Sequence, residues 1–142
     1  MRILEIFNMM DFKIKTPCRA LVIDDDPDFL AQMKMELGDN GIDVITAESS
    51  AEAGRILSEE NFDLAIVDIM MEEEDSGFAL CYQIKKHSPQ THVIIATSVA
   101  SKTGIIFDAI TAEERKWIKA DVILDKPFRE EQLLREIERL CC

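Results

Sequence analysis

The chain has 142 residues, of which 16 are Lys or Arg, 28 are Asp or Glu, and 47% are hydrophobic. This length and composition predict one globular domain whose core is large enough to fold without disulfides or a structural metal. The net charge of −12 disfavours direct binding to nucleic acid or to an anionic membrane surface, because the phosphate groups of either would be repelled.

The cysteine pattern and the amino terminus indicate where the protein works. The cysteines show no CxxC spacing, and two of them are adjacent, which favours reduced thiols over a disulfide framework. They are Cys18, Cys81, Cys141 and Cys142. The first ten residues contain Glu5 and Asn8 and lack the apolar core of a signal peptide, and no apolar run approaches the roughly 18 residues of a membrane span. We therefore expect a cytoplasmic protein.

The first predicted unit is a strand, an acidic loop and a helix. Apolar residues 20–23 stop abruptly at three consecutive aspartates, and Pro27 stands where the first turn of a helix tolerates proline. Asp26, directly before it, is a good helix cap. Apolar residues then recur at helical spacing until Gly38 and Gly41, which are expected to end the helix.

The same alternation continues to the end of the chain. The predicted strands are residues 20–23, 42–47, 64–67, 93–96 and 122–124. Ser49 and Glu52 form a capping-box pair before the second helix, a mixed helical region runs from about 103 to 119, and apolar residues between 133 and 140 mark a last helix. Continuously apolar strands that alternate with helices predict an α/β fold, a doubly wound five-stranded parallel sheet with helices on both faces.

Polar residues stand at the carboxyl ends of these strands. They are Asp24, Asp25, Asp26, Asp68, Thr97, Ser98 and Lys126. In an open parallel sheet these ends meet at one edge, where ligands bind. Carboxylates forced together repel one another unless a cation relieves them, and oxygen ligands with open coordination positions suit Mg²⁺. The sequence therefore predicts a magnesium site at this edge.

The other strand-end residues add the components of an aspartyl-phosphate site. Asp68 provides a carboxylate nucleophile, Lys126 a mobile positive charge, and Thr97 a hydroxyl that can hydrogen-bond phosphoryl oxygens. Each also has an ordinary explanation. Asp24 and Asp25 could be solvated acids beside a helix cap, Asp68 a turn residue, Lys126 a surface lysine, and Thr97 a loop residue that bonds to the backbone. Their coincidence at matching strand ends favours the phosphate site.

Five short segments carry a resemblance to a known family. They are LVIDDDPD at 21–28, DLAIVDIMM at 63–71, GF at 77–78, VIIAT at 93–97 and DKPF at 125–128. In this order, over about residues 18–140, they resemble the receiver domains of two-component response regulators, of the single-domain type. The resemblance implies the flavodoxin-like fold with strand order 2-1-3-4-5.

The resemblance also implies a set of site residues. Asp25 and Asp68 would coordinate Mg²⁺ directly, Met70 would add its backbone carbonyl, and Asp24 would act mainly through water. The implied phosphoryl contacts are Thr97 and Lys126. Asp68 would accept the phosphoryl group from the phosphohistidine of a sensor histidine kinase or a phosphotransfer protein. Such a domain is a signalling module that catalyses only its own phosphorylation and dephosphorylation, and is not an enzyme with a separate substrate.

The signal is expected to pass to another protein. The last predicted helix ends at the carboxyl terminus, so we expect a stand-alone receiver without an output domain. By the resemblance, a downstream target would bind the face formed by the fourth helical region, the fifth strand and the last helix. Self-association into a homodimer is an alternative route.

Three departures from the family pattern keep other functions open. The loop at 71–76 is one residue longer and more acidic than usual, the stretch from Thr97 to Lys126 is longer, and Ile123 stands in the position of the switch aromatic. A degenerate receiver that binds partners without phosphorylation is therefore an alternative. A haloacid-dehalogenase-like phosphatase, suggested by residues 24–26 with Lys126 as its distal lysine, is a weaker one, because it leaves Asp68 and Thr97 unexplained.

Residues 1–17 are predicted to be an amino-terminal extension that precedes a receiver domain at 18–142. Their apolar spacing permits an amphipathic helix, which could dock on the domain or on a partner. A frayed tail is equally compatible with the sequence, as is a true start at Met9 or Met10.

Overall fold

The structure is a computed structural model that describes residues 14, 17–69, 76–98 and 119–141, with the backbone alone at 76–78 and 97. The strands are β1 (Cys18–Ile23), β2 (Ile42–Ala47), β3 (Leu64–Val67), β4 (His92–Thr97) and β5 (Val122–Asp125). The helices are α1 (Pro27–Gly38), α2 (Ser50–Glu59), α3 (Ser76–His87) and α4 (Glu130–Cys141). All five predicted strands are therefore present.

The strands form one sheet in the order β2-β1-β3-β4-β5, and every neighbouring pair is parallel. The predicted strand order is confirmed. Ile23, the last residue of β1, lies in register with Ala47 on one side and Val67 on the other. The next peptide groups continue this alignment, since the Asp24 N–H donates to the Ala47 carbonyl at 3.1 Å and the Asp68 N–H to the Ile23 carbonyl at 2.9 Å. The ends of β1, β2 and β3 are thus tied together.

The core lies on both faces of the sheet. On one face, residues of α1 and α4 such as Met33 and Leu133 pack with Val22, Ile66 and Ile94 of the strands. On the other face lies a second cluster, whose members include Leu21, Ala53, Ala65, Leu80 and Ile95. Both faces of the central strands are therefore buried, which explains why the strands read as unbroken apolar runs. The doubly wound architecture is confirmed.

The predicted helix caps form, one of them with a shifted partner. Asp26 caps α1 by accepting the Asp28 N–H at 3.0 Å. Ser49 caps α2 by accepting the Glu52 N–H at 3.1 Å, as the capping box requires. The return bond is displaced, because the Glu52 carboxylate accepts the N–H of Glu48 at 3.3 Å and not that of Ser49. Only half of that capping box is therefore standard.

Several predicted segments lie outside the described residues. These are the amino-terminal extension except for Ile14 and Pro17, the loop at 70–75, and the fourth helical region at 103–119 except for its last residue. Ile14 packs against the core cluster between the sheet and helices α1 and α4. Among the described helices, none is long and apolar enough to cross a membrane.

Candidate functional site

Three carboxylates converge at the carboxyl edge of the sheet. Asp24 and Asp25 directly follow β1, and Asp68 directly follows the neighbouring strand β3. Oxygen atoms of the three side chains all lie within 4.8 Å of one another. The structure therefore brings together three of the four acidic side chains that the sequence placed at this edge.

The three carboxylates differ in their access to water. Asp24 is 1% exposed and Asp68 is 7% exposed, whereas Asp25 is exposed. Burial raises the pKa of Asp24 above its ordinary value, against the opposing effects of a hydrogen bond from Lys126 and one from the Asp26 N–H. The latter bond is 2.9 Å long and reaches Oδ1 of Asp24. Both oxygens of this buried carboxylate consequently have hydrogen-bond donors.

Lys126 supplies positive charge to the carboxylate cluster. It follows β5, and its Nζ lies 2.5 Å from Oδ2 of Asp24 and 3.6 Å from Oδ2 of Asp68. One ammonium group against three carboxylates leaves the site with a net negative charge when all are ionised. Oxygen donors with such an excess of negative charge fit a hard divalent cation, and Mg²⁺ in particular accepts few protein carboxylates together with waters or phosphoryl oxygens.

Phe29 forms a platform for the ammonium group of Lys126. Its ring belongs to α1, and the ring centroid lies 3.9 Å from Nζ, a cation–π contact. The ring of Phe128 meets that of Phe29 edge to face, with centroids 6.1 Å apart. From the sequence, Phe29 is one of the apolar residues that recur at helical spacing after Pro27, which predicts only a place on the apolar face of a helix. No local signal could have revealed its second role, because the contact exists only once α1 and the end of β5 pack together.

The structure describes only some of the remaining predicted site residues. Thr97 is the last residue of β4 and lies in register with Asp125, directly before Lys126. Ile123 lies in register with Ile95 and packs against the core cluster between the sheet and helices α2 and α3. Met70, the predicted backbone ligand, lies outside the described residues.

Asp26 separates from the other two aspartates of its run. Its side chain is used as the cap of α1 and is not among the three clustered carboxylates. The helix-cap interpretation that the sequence left open is therefore correct for Asp26. It does not describe Asp24, whose side chain bonds to Lys126 across the sheet edge.

Comparison with known proteins identifies the family. Residues 20–138 match the response regulator receiver domain. The chain is 37% identical over 122 residues to the transcriptional regulatory protein GlrR of Escherichia coli, covering 86% of this chain and 26% of that protein. The chain thus spans about a quarter of the length of this curated relative.

Solved structures give the same family. A CheY-like receiver domain protein from Methanospirillum hungatei superimposes with a TM-score of 0.73 and 28% identity, over 87% of this chain and 93% of that one. The response regulator TrrA from Thermotoga maritima, solved in complex with Mg²⁺–BeF, gives a TM-score of 0.69 and 28% identity, over 87% and 98% of the two chains.

The chain belongs to the receiver domain family of two-component response regulators. Members of this family are phosphorylation-based signalling domains and not ordinary enzymes. They bind Mg²⁺ at an acidic pocket and interact with histidine kinases and downstream effectors. In this chain, Asp24, Asp25 and Asp68 form an acidic cluster at the carboxyl edge of the sheet.

Proposed function

We propose that this receiver accepts a phosphoryl group on Asp68 from the phosphohistidine of a kinase or phosphotransfer protein, in an Mg²⁺-dependent reaction that changes its binding to other proteins. One observation carries the proposal. Asp68 lies within 4.8 Å of two further carboxylates, and the ammonium group of Lys126 is 3.6 Å from its Oδ2. This arrangement provides a nucleophile, a metal-binding set and a cation at one place.

The transfer step follows from the position of Asp68. A carboxylate oxygen of Asp68 attacks the phosphorus atom, a new O–P bond forms, and the P–N bond to the donor histidine breaks. The imidazole leaves with the electron pair of that bond and regains a proton. The peptide bond of Asp68 is held by its hydrogen bond to the Ile23 carbonyl, so the nucleophile starts from a fixed backbone position.

The charge of the product explains the roles proposed for Lys126 and the metal. Phosphorylation adds about one further negative charge to a group that is already anionic. Lys126 would compensate it by moving from Asp24 toward the phosphoryl oxygens, a short step because Asp68 is already near. Asp24, Asp25 and Asp68 would hold Mg²⁺, which when bound neutralises negative charge on the phosphoryl oxygens. The complex of the Thermotoga maritima relative with Mg²⁺–BeF supports this assignment.

Two further roles at the site are proposed from the family resemblance. Met70 would add its carbonyl to the metal, and the Thr97 hydroxyl would bind a phosphoryl oxygen. The register of Thr97 with Asp125 supports the second role, since it sets Thr97 beside the strand end that bears Lys126. Phosphorylation would change the contacts at this edge and thereby alter the surface that includes β5 and α4. On this surface, Ile123 takes the place of the switch aromatic.

We expect a cytoplasmic protein, because the cysteine pattern favours reduced thiols, and a receiver domain that begins near residue 18. A homodimer is likewise a prediction from the sequence. A target other than DNA is favoured by the net charge of −12.

The proposal is tested by the intact mass of the chain after incubation with acetyl phosphate or phosphoramidate, with and without Mg²⁺. We expect an Mg²⁺-dependent gain of one phosphoryl group that Asp68→Asn abolishes. Asp26→Asn is the matched control, because it removes a charge two residues from Asp24 while keeping a helix cap, and it should be labelled like the wild type.

The other outcomes separate the alternatives. Labelling that survives in Asp68→Asn and is lost in Asp24→Asn would support the phosphatase interpretation. No labelling with either donor, and none from a histidine kinase that phosphorylates other receivers, would support a degenerate binding module. Either result would overturn the proposal.

A further inference from the structure

The thiols of Cys18 and Cys141 meet at the opposite edge of the domain from the acidic cluster. Cys18 is the first residue of β1 and is 2% exposed, and Cys141 is the last residue of α4 and is partly exposed. The Cys141 side chain lies within interaction range of the Cys18 thiol. Cys18 is a member of one core cluster, and Cys141 packs against that cluster. Ile137, which like Cys141 belongs to α4, is also a member. The contact therefore links the two ends of the folded domain.

The environment of this pair differs from that of the other described cysteine. The hydrogen bond from Cys141 lowers the pKa of the Cys18 thiol, although burial and the charge of Asp63 act in the opposite direction. Burial raises the pKa of Cys81 to about 12, so that its thiol stays protonated at neutral pH and is a poor nucleophile. The sequence does not show which cysteine thiols lie close together. Only the fold separates Cys18 and Cys141 from Cys81.

We propose that Cys18 and Cys141 are an oxidisable dithiol, which a hydroperoxide such as H₂O₂ converts into an intramolecular disulfide. Cys141 is the accessible member, and its sulfur would attack one peroxide oxygen. The O–O bond breaks, and a sulfenic acid and water form. The sulfur of Cys18 then attacks the Cys141 sulfur, the S–O bond breaks, and hydroxide leaves and takes up the thiol proton as water. Two thiols and one peroxide thus give one disulfide and two waters.

The disulfide would tie the start of β1 to the end of α4. Since nearly the whole domain lies between the two cysteines, the bond would close a long loop and restrict the unfolded chain strongly. It would also hold the carboxyl end of α4 against the sheet. The proposal is independent of the phosphoacceptor function, because Asp68 and Lys126 lie at the other end of the strands.

The test uses the full chain carrying Cys142→Ser, which removes the neighbouring thiol as a competitor. The reduced protein is treated with H₂O₂, unfolded, capped with N-ethylmaleimide and mapped by mass spectrometry. We expect a peptide that links Cys18 to Cys141, with Cys81 still capped by the reagent. The melting temperature should rise by roughly 10 °C on oxidation and return on treatment with dithiothreitol.

Two further variants in the same background complete the test. Cys141→Ser should abolish the link, and its circular dichroism should remain native because Cys141 is partly exposed at a helix end. Cys81→Ala should keep the link. Capture of Cys141 in intermolecular dimers or in higher oxides, with Cys18 still capped by the reagent, would overturn the proposal. A melting temperature that is equal in the oxidised and reduced forms would also contradict it.

Discussion

Lys126 contacts Asp24 more closely than it contacts Asp68, with Nζ–Oδ2 distances of 2.5 Å and 3.6 Å. The lysine therefore compensates the more deeply buried of the two carboxylates, which is 1% exposed. A buried carboxylate needs such a partner, since desolvation penalises its charged form. In this structure, the ammonium group proposed to contact the phosphoryl oxygens is held closer to Asp24 than to Asp68, the proposed phosphoacceptor.

Replacing Lys126 by methionine should destabilise the protein in the absence of Mg²⁺. The change removes the cation but keeps an apolar stem over Phe29, and leaves Asp24 buried without its partner. We expect the free energy of unfolding at pH 7 to fall by about 1–3 kcal/mol, limited by protonation of Asp24. Urea denaturation in EDTA measures this change.

The control for this variant is Lys86→Met, which alters an exposed lysine of α3. Its free energy of unfolding should stay within about 0.5 kcal/mol of the wild type. If the free energy of unfolding of Lys126→Met equals that of Lys86→Met, the contact between Lys126 and Asp24 does not stabilise the folded state.

Phe29 and Lys126 should be energetically coupled. The ammonium group lies 3.9 Å from the ring centroid, and Phe29→Leu retains apolar volume while removing the aromatic face. A double-mutant cycle with Lys126→Met should give a coupling free energy of about 0.5–1 kcal/mol. The cycle cancels the loss of the edge-to-face contact between Phe29 and Phe128. Additive effects on urea unfolding would rule out a stabilising cation–π contact.

Mg²⁺ should stabilise the folded chain through the acidic cluster. The melting temperature is expected to rise with Mg²⁺ concentration, since a ligand at about 100 times its Kd adds about 2.7 kcal/mol to the free energy of unfolding. Asp24→Asn and Asp68→Asn each remove one of the three clustered carboxylates and should weaken the Mg²⁺-dependent shift.

Asp26→Asn serves as the matched control for the metal, because Asp26 lies in the same acidic run but caps α1. It should show the Mg²⁺-dependent shift of the wild type. A shift lost equally in Asp24→Asn and Asp26→Asn would mean that the metal responds to the general negative charge of the run and not to the cluster.

The ion pair of Asp121 with Lys85 should make stability depend on pH. Burial raises the pKa of Asp121, but the Lys85 ammonium at 2.8 Å and the Val93 N–H at 2.8 Å lower it by more, so that the pKa lies below its ordinary value of 3.8. A carboxyl group with a lowered folded-state pKa stabilises the protein above its unfolded-state pKa. This contribution is lost as the pH falls through the folded-state pKa.

We therefore expect Asp121→Asn to lower the free energy of unfolding by about 1 kcal/mol at pH 7, a value discounted for partial exposure. The difference from the wild type should shrink as the pH falls from 3.8 toward the lowered pKa. Urea denaturation across this range measures it. Asp43→Asn, whose side chain is 69% exposed, should change stability by less than about 0.5 kcal/mol. A constant deficit of Asp121→Asn at every pH would contradict the ion-pair account.

The secondary structure was predictable because each signal is local. The run Leu64–Val67 is apolar at every position and is buried at every position, as a central parallel strand requires. The caps at Asp26 and Ser49 form where the sequence places them, since a cap needs only residues within one helical turn. The lateral order of the strands has no such local signal. It came from the family resemblance and is confirmed by the sheet.

The candidate site was predictable in its membership and not in its internal contacts. Strand ends could be read from the sequence, and the geometry of parallel sheets brings them to one edge, which accounts for Asp24, Asp25 and Asp68. Within the run at 24–26, the following Pro27 indicated that Asp26 is a helix cap, and the structure confirms it. The sequence did not show that Asp24 is buried and paired with Lys126 while Asp25 is exposed, because those differences depend on distant parts of the chain.

By itself, the sequence determined the alternating elements, the buried strands and the acidic edge of this receiver domain, because periodicity, capping and strand termination act between near neighbours in the chain. The tertiary structure decided which partner each side chain takes. It set Lys126 over Phe29 and against Asp24, and it packed Cys141 against the core cluster that contains Cys18. These contacts join residues far apart in the sequence, so they depend on the packing of whole helices against the sheet, which no local pattern specifies.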